Sequence, residues 1–245
     1  MSLSRFHLPA EAWQSDQLTL SGDEAAHCSR VMRKQVGDAV EIFDGAGRVA
    51  TTQISTITKS TVTARIESLH QHEPRSTEIH LLPAMIKAEP FEWLLEKATE
   101  LGAASVQPII TARTVVHLSG EHLEKKHAKW QRHMIESAKQ CHTPWVPHLA
   151  QPRSLTSALS SLSTDGVRLL PALSEHSRRL HEVSFVQAKA VFILIGPEGD
   201  FTPDEESLAQ EQAFQPITLG SLILRAETAA IASLAMVGHE VARQG

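Results

Sequence analysis

The spacing of apolar residues changes rhythm once along the chain. Up to about residue 70 they fall in short runs rich in Val, Ile and Thr, at 39–43, 49–57 and 61–66. Residues branched at Cβ suit a pleated, half-buried surface, so these runs predict strands, and Asp44-Gly45-Ala46-Gly47 predicts a hairpin turn between the first two. One helix interrupts them. Ser21 and Glu24 have the spacing of a capping box, and Ala25, Cys28, Val31 and Met32 recur at helical intervals to about Arg33. A small β barrel with one helix follows from this pattern. Residues 70–77 (HQHEPRST) are polar, contain Pro74 and show no periodicity, so they read as a linker. The expected domains are therefore 1–72 and 73–245.

Beyond the linker, strand alternates with helix, as in an α/β domain with a largely parallel sheet. Apolar runs predict strands at 79–84, 105–110, 167–173, 190–195 and 216–219. Phe91, Leu94, Leu95, Ala98 and Leu101 form an i, i+3, i+4 stripe that ends at Gly102, a residue suited to close a helix. A longer helix over 120–140 carries Lys125, Lys126, Lys129, Arg132 and Lys139, which reads as a solvated face. Thr202, Pro203 and Glu205 supply an N-cap, an N1 proline and a capping-box acid. The last helix, 227–242, shows a stripe of small and apolar residues, Ile231, Leu234, Ala235, Gly238 and Val241.

Composition narrows the classes. The chain has 245 residues, 42% hydrophobic and 21% charged, which is globular and neither disordered nor fibrous. No apolar run approaches the roughly 18–20 residues of a membrane span, and the first ten residues lack the apolar stretch of a secretory signal, so a cytoplasmic protein with no membrane partner is expected. Cys28 and Cys141 lie far apart with no CxxC, which argues against a disulfide framework or a thiolate zinc site. The 14 histidines do not assemble a metal site by spacing. His70-x-His72 falls in the linker, and His117, His122, His127 and His133 do not return to one helical face, so no metal is expected. Net charge is −5, with the excess acid in the last third, so any nucleic-acid contact must be local.

Two segments carry candidate chemistry. The run 190–195 (AVFILI) ends in Gly196-Pro197-Glu198-Gly199-Asp200, a glycine-rich loop at the carboxyl end of a strand, where open α/β sheets bind ligands. It matches neither GxGxxG nor GxxxxGK[ST] and has no lysine, which disfavours dinucleotides and nucleoside triphosphates. Such a loop suits a ligand read by main-chain groups, or is a plain strand-to-helix turn. The second segment is Leu219-Gly220-Ser221-Leu222-Ile223-Leu224-Arg225-Ala226-Glu227-Thr228-Ala229. A cation at a helix start opposes the macrodipole by roughly 0.3–1 kcal/mol. Arg225 therefore either pairs structurally with Glu227 or presents its donor fork to an oxygen-rich substrate.

Together, 193–205 (ILIGPEGDFTPDE) and 219–234 (LGSLILRAETAAIASL) closely resemble the SPOUT-class RNA methyltransferases, specifically the RsmE family, which methylates N3 of a uridine in small-subunit ribosomal RNA. Arg5-Phe6-His7, the run 27–33 (HCSRVMR), Phe43-Asp44-Gly45 and 97–102 (KATELG) agree, so the likeness covers essentially the whole chain. There are two departures. Asp200 stands where the family commonly has another glycine, and 140–144 (QCHTP) lacks the Gly-Arg often found after the glutamine and its neighbour.

The resemblance implies a PUA-like β barrel, then a SPOUT-type α/β domain with a trefoil knot that binds S-adenosylmethionine and needs no metal. It implies action on 16S ribosomal RNA within the small subunit, with the same fold acting on another RNA atom, such as a ribose 2′-hydroxyl, as the alternative. Three strand-end loops can converge on the donor, which nominates Leu170, Pro171, Gly196, Pro197, Glu198, Gly199, Leu219, Gly220, Leu222, Leu224, Arg225 and Thr228 as its contacts. Arg225 and Glu227 are the catalytic candidates: a fixed guanidinium can stabilise a uracil anion as an oxyanion donor does. Arg5, His27, Arg30 and Arg33 are the RNA candidates, the last two expected on one helical face. The small-residue stripe of the last helix suits a homodimer.

Overall fold

The computed structural model describes residues 3–13, 16–116 and 119–244. His117 lies outside the described residues. The chain divides into two compact units, Met1–Pro74 with Ile135–Val146, and Arg75–Met134 with Pro147–Gly245.

In the first unit, β1 (Arg5–His7), β2 (Gln17–Ser21), β3 (Ala39–Phe43), β4 (Arg48–Ile57) and β5 (Thr61–Gln71) form one sheet in the order β1-β3-β4-β5-β2, parallel between β1 and β3 and antiparallel elsewhere. Strict alternation in β2 sends Leu18 and Leu20 inward to meet Phe6, Ile42, Ile54, Val62 and Cys28. The β4–β5 register shifts twice, at Thr51/Thr52 and Ile54/Thr56, as at β-bulges, which increase the local twist of a sheet. The predicted turn is made by Gly45 and Gly47 at φ 74 and 100, while Asp44 Oδ1 accepts from the Ala46 and Arg48 amides. β5 runs further than expected, so His70 and Gln71 pair with β4 instead of starting a linker.

The helix of this unit corrects the sequence expectation. α1 (Gly22–Ala26) is five residues long and passes into a π-turn at His27–Val31. The capping box does not form: Ser21 makes no side-chain cap bond, and the Glu24 carboxylate instead accepts from the His7 amide at 3.1 Å and from the Lys139 ammonium. A half-buried carboxylate gains more from a strand N–H and an ammonium than from a local cap. Lys139, in turn, is buried between Glu24 and Glu136 rather than solvated. Arg33 has φ 53 and lies past the helical turns, so it does not share a helical face with Arg30.

The second unit is built on seven parallel strands in the order β12-β14-β11-β13-β6-β7-β9. These are β6 (Glu78–Pro83), β7 (Ser105–Val106), β9 (His148–Leu149), β11 (Val167–Pro171), β12 (Arg178–Arg179), β13 (Ala190–Ile195) and β14 (Gln215–Thr218). β13 is central and buried at all six positions, which is why its sequence is continuously apolar. Leu82, Phe192, Leu194, Phe201 and Phe214 anchor one core cluster. The helices are α2 (Ala88–Glu100), α3 (Gly120–Cys141), whose residues from Ile135 on belong to the first unit, α4 (Leu155–Ser160), α5 (Pro203–Glu211) and α6 (Ala226–Gln244), and α6 packs against β6, β13 and α2. The strand expected at 105–110 breaks in two. Pro108 has no N–H for the ladder, and β8 (Ile109–Ile110) pairs separately with β10 (Arg153–Ser154). α5 has both reciprocal bonds of its predicted capping box, between Thr202 and Glu205.

Candidate active site

A cavity of about 430 Å³ opens at the carboxyl ends of β11, β13 and β14, within the size range of small-molecule sites. The segment after β11 contributes Pro171, Ala172 and Leu173. The loop after β13 contributes Gly196, Pro197, Glu198 and Asp200 behind Ile195. The loop after β14 contributes Leu219, Gly220, Leu222, Ile223, Leu224 and Arg225, and the first turn of α6 adds Ala226 and Ala229. The wall thus combines two exposed carboxylates, one guanidinium, an apolar rim and main chain at glycines.

The sequence pattern explains each loop. After β13, the Asp200 amide donates to the Pro197 carbonyl at 2.9 Å, and Asp200, at φ 63, uses its own Oδ1 to accept from the Phe201 amide at 2.9 Å. Phe201 is buried in the core and anchors the loop's far end. Gly196 has no unusual φ. Space favours it, since a Cβ there would lie a tight 3.2 Å from Phe201 Cε2 and 3.3 Å from Asp200 Oδ1. Gly220 is the converse case: nothing lies near its missing Cβ, but its φ of 127 is one that side chains resist.

Of the sequence-derived donor contacts, Pro171, Gly196, Pro197, Glu198, Leu219, Gly220, Leu222, Leu224 and Arg225 come together on this wall. Three do not line it. Leu170 points into the core, Gly199 lies behind the loop against Arg113, and Thr228 is exposed on α6. Ala172, Leu173, Asp200, Ile223, Ala226 and Ala229 line the wall without having been singled out. Proximity in sequence to Pro171, Gly199 and Arg225 was their signal. Arg225 is exposed and forms no ion pair among the described residues, so the alternative of a structural Arg225–Glu227 pair does not hold. Glu227 is buried in the first turn of α6, where a carboxylate favours the helix dipole, and it does not line the cavity.

The four RNA candidates separate. Arg5 is inside the first unit: its guanidinium lies 2.8 Å from Glu41, stacks 4.1 Å over Phe43 and points at the Ala138 carbonyl. His27 is half-buried, edge-on to Phe6. Arg30 and Arg33 are exposed, and Arg30 donates to the Lys59 carbonyl. No group of His, Cys, Asp and Glu able to hold a metal occurs among the described residues, and none of their helices is long and apolar enough to cross a membrane.

Comparison with known proteins then decides the family. The model of an RNA methyltransferase domain matches residues 73–238, and that of an RNA methyltransferase PUA domain matches 20–67. The ribosomal RNA small subunit methyltransferase E of Synechocystis sp. is 30% identical over 223 residues, which cover 90% of this chain and 72% of that protein. The chain belongs to the ribosomal RNA small subunit methyltransferase E family. Its namesake from Rickettsia conorii is 29% identical, over 97% of this chain and 96% of that protein. Among solved structures, a Legionella pneumophila protein in complex with the bound cofactor SAM aligns with a TM-score of 0.89 at 30% identity, over 98% of each chain. The family E enzyme of Neisseria gonorrhoeae bound to S-adenosyl methionine aligns with a TM-score of 0.88 at 26% identity, over 97% of this chain and 98% of that one. The fold is therefore that of the SPOUT methyltransferases with a PUA domain.

The cavity wall fits the methyl donor of that family. S-adenosylmethionine is a sulfonium zwitterion without phosphate, and the wall offers Glu198 and Asp200 for cationic groups, an apolar rim for a purine, and no lysine.

Proposed function

We propose that this protein transfers a methyl group from S-adenosylmethionine to N3 of a specific uridine in 16S ribosomal RNA. The observation that carries the reading is the convergence of the loops after β11, β13 and β14 on one cavity in a chain of this family. Main-chain groups of Gly196 to Glu198 and of Leu219 and Gly220 hold the donor, with Leu219, Leu222 and Leu224 against its purine. When bound, the donor supplies a sulfonium methyl group for in-line transfer. Holding the acceptor in register is worth more than any single proton transfer. The free guanidinium of Arg225 binds the uracil oxygens and steadies the charge that develops as N3 loses its proton to solvent water. Glu227, buried behind the wall, sets the start of α6 and so the place of Arg225.

Arg30 and Arg33 on the first unit, both exposed, contact RNA phosphate. The loops after β13 and β14 carry the trefoil knot of the family. The enzyme acts in the cytoplasm, on the small subunit, as a homodimer through α6. Light scattering that gives a 26.9 kDa particle at micromolar concentration refutes the dimer.

The test is to incubate the protein with small subunits from a deletion strain and labelled donor, and to identify the product by nucleoside mass spectrometry. N3-methyluridine is expected, and a 2′-O-methylated nucleoside supports the alternative acceptor instead. Arg225→Ala should lower turnover by about 10²- to 10³-fold, the usual cost of one oxyanion donor, and lower donor affinity by much less.

A further inference from the structure

The loop after β13 supplies four residues to the cavity wall, yet few bonds of its own hold it: the Asp200 amide to Pro197, and the Phe201 amide to Asp200. It is braced from outside the cavity. Beyond β8 the chain makes a tight turn in which the Thr111 amide and hydroxyl both bond the Thr114 hydroxyl, at 2.9 and 3.0 Å, and both threonines are buried. From this turn Arg113 reaches the loop, and its Nη1 donates to the Gly199 carbonyl at 2.5 Å and to the Phe201 carbonyl at 3.2 Å. The stem of Arg113 lies so close that a Cβ on Gly199 would come within 3.3 Å of Arg113 Cδ. Glu205 ties the same segments a second time, accepting the Ala112 amide on Oε1 at 2.7 Å and the Thr202 amide on Oε2 at 2.9 Å. Arg113 forms no ion pair among the described residues, so its charge is answered by loop carbonyls.

We propose that Arg113 is a positioning residue for methyl transfer, forming with Gly199 a clasp that holds the 196–202 loop in its donor-binding shape. The proposal rests on the reading of the cavity as the donor site. It also gives Gly199 a task that cavity lining does not: its carbonyl receives the arginine, whose stem packs against the bare Cα. A loop that visits open states binds its ligand more weakly by the fraction of time it is competent. Two hydrogen bonds from a charged donor are strong enough that their loss should weaken donor binding roughly tenfold or more.

The experiment compares the full-length parent with Arg113→Met and Arg113→Lys. Hydrogen exchange of amides 198–202 is followed without ligand, affinity for S-adenosylmethionine is read by calorimetry, and melting temperature is recorded. Arg113→Met should speed exchange in that loop, raise the donor Kd about tenfold, and move KM for the donor more than kcat. Arg113→Lys, whose ammonium can reach the same carbonyls, should restore most of both effects at an unchanged melting temperature. Unaltered loop exchange in Arg113→Met overturns the clasp, and faster exchange with parental donor affinity overturns its role in positioning. A parent that does not bind S-adenosylmethionine, while its loop still responds to Arg113→Met, overturns the donor-site reading and the proposal with it.

Discussion

Replacing Gly196 with larger residues separates a donor loop from an ordinary turn. The backbone at Gly196 is one that any residue can adopt, so the whole effect is steric. An alanine Cβ would sit 3.2 and 3.3 Å from two carbons of the Phe201 ring and 3.3 Å from Asp200 Oδ1, against the 3.5–4.0 Å of comfortable carbon contact. Phe201 is 4% exposed and cannot swing away, and Asp200 is tied to the Phe201 amide, so relief requires moving the loop. Alanine should cost about 1 kcal/mol and valine, with two further methyl groups, about 2–3 kcal/mol, the usual range for overpacking. Either remains within the roughly 5–15 kcal/mol of a typical fold. At about 2–4 °C per kcal/mol for a chain of this size, alanine should melt a few degrees below the parent and valine about 5–10 °C below. The main chain of Gly196 to Glu198 moves with the loop, so donor affinity should fall more than tenfold in Gly196→Val. Calorimetric titration with S-adenosylmethionine on the folded variant reads this directly. Parental affinity in a folded Gly196→Val would refute the placement of the donor.

Stability should fall with acid below about pH 6.5. Burial holds the pKa of His7 and of His80 below the ordinary 6.5, against weaker upward pulls from the Asp44 carbonyl and Glu24 on His7 and from Glu78 on His80. The unfolded chain then takes up protons that the native state refuses, so the urea midpoint should drop between pH 7.5 and 5.5, and a His7→Gln, His80→Gln double variant should flatten the profile. A midpoint that rises over that interval contradicts the sign. Lys139→Ala should cost about 2–4 kcal/mol, because it leaves the half-buried Glu24 carboxylate without its cation. An unchanged urea midpoint would show the pair to be neutral.

How much of the fold was legible depended on whether local signals competed with distant partners. The central strand 190–195 and the capped start of α5 were readable because a continuous apolar run and a Thr-Pro-x-Glu sequence each admit one economical structure. The Ser21 to Glu24 signal was as strong on paper, yet Glu24 is taken by the His7 amide and by Lys139, 115 residues away. Lys139 failed as a solvated residue for the same reason. β7 to β10 are two-residue strands, too short for any periodicity, and Pro108 divided a run that otherwise looked continuous. β1 was hidden because three residues, Arg5, Phe6 and His7, carry too little alternation to declare a strand.

The site shows a similar division, and the two departures from the family pattern give its physical reason. Gly196 and Gly220 stood out in sequence, though they serve opposite needs, one space and the other a φ of 127. At two positions where the family commonly has glycine, this chain has Asp200 and His142, and both adopt left-handed backbone, φ 63 and 58. Asp and His are among the few side chains enriched in that region, and Asp200 further offsets its cost by accepting the Phe201 amide. Both positions thus hold a backbone that glycine adopts freely, so the residue identity alone does not reveal the local conformation. The arginines err in the opposite direction. Arg5 matches the family pattern and is an interior residue held by Glu41 and Phe43, whereas Arg113 carried no signal and holds the 196–202 loop through two carbonyls. A charged residue's task is set by what answers its charge, and that is decided by residues 36 and 86 positions away in these two cases, beyond the reach of any local pattern.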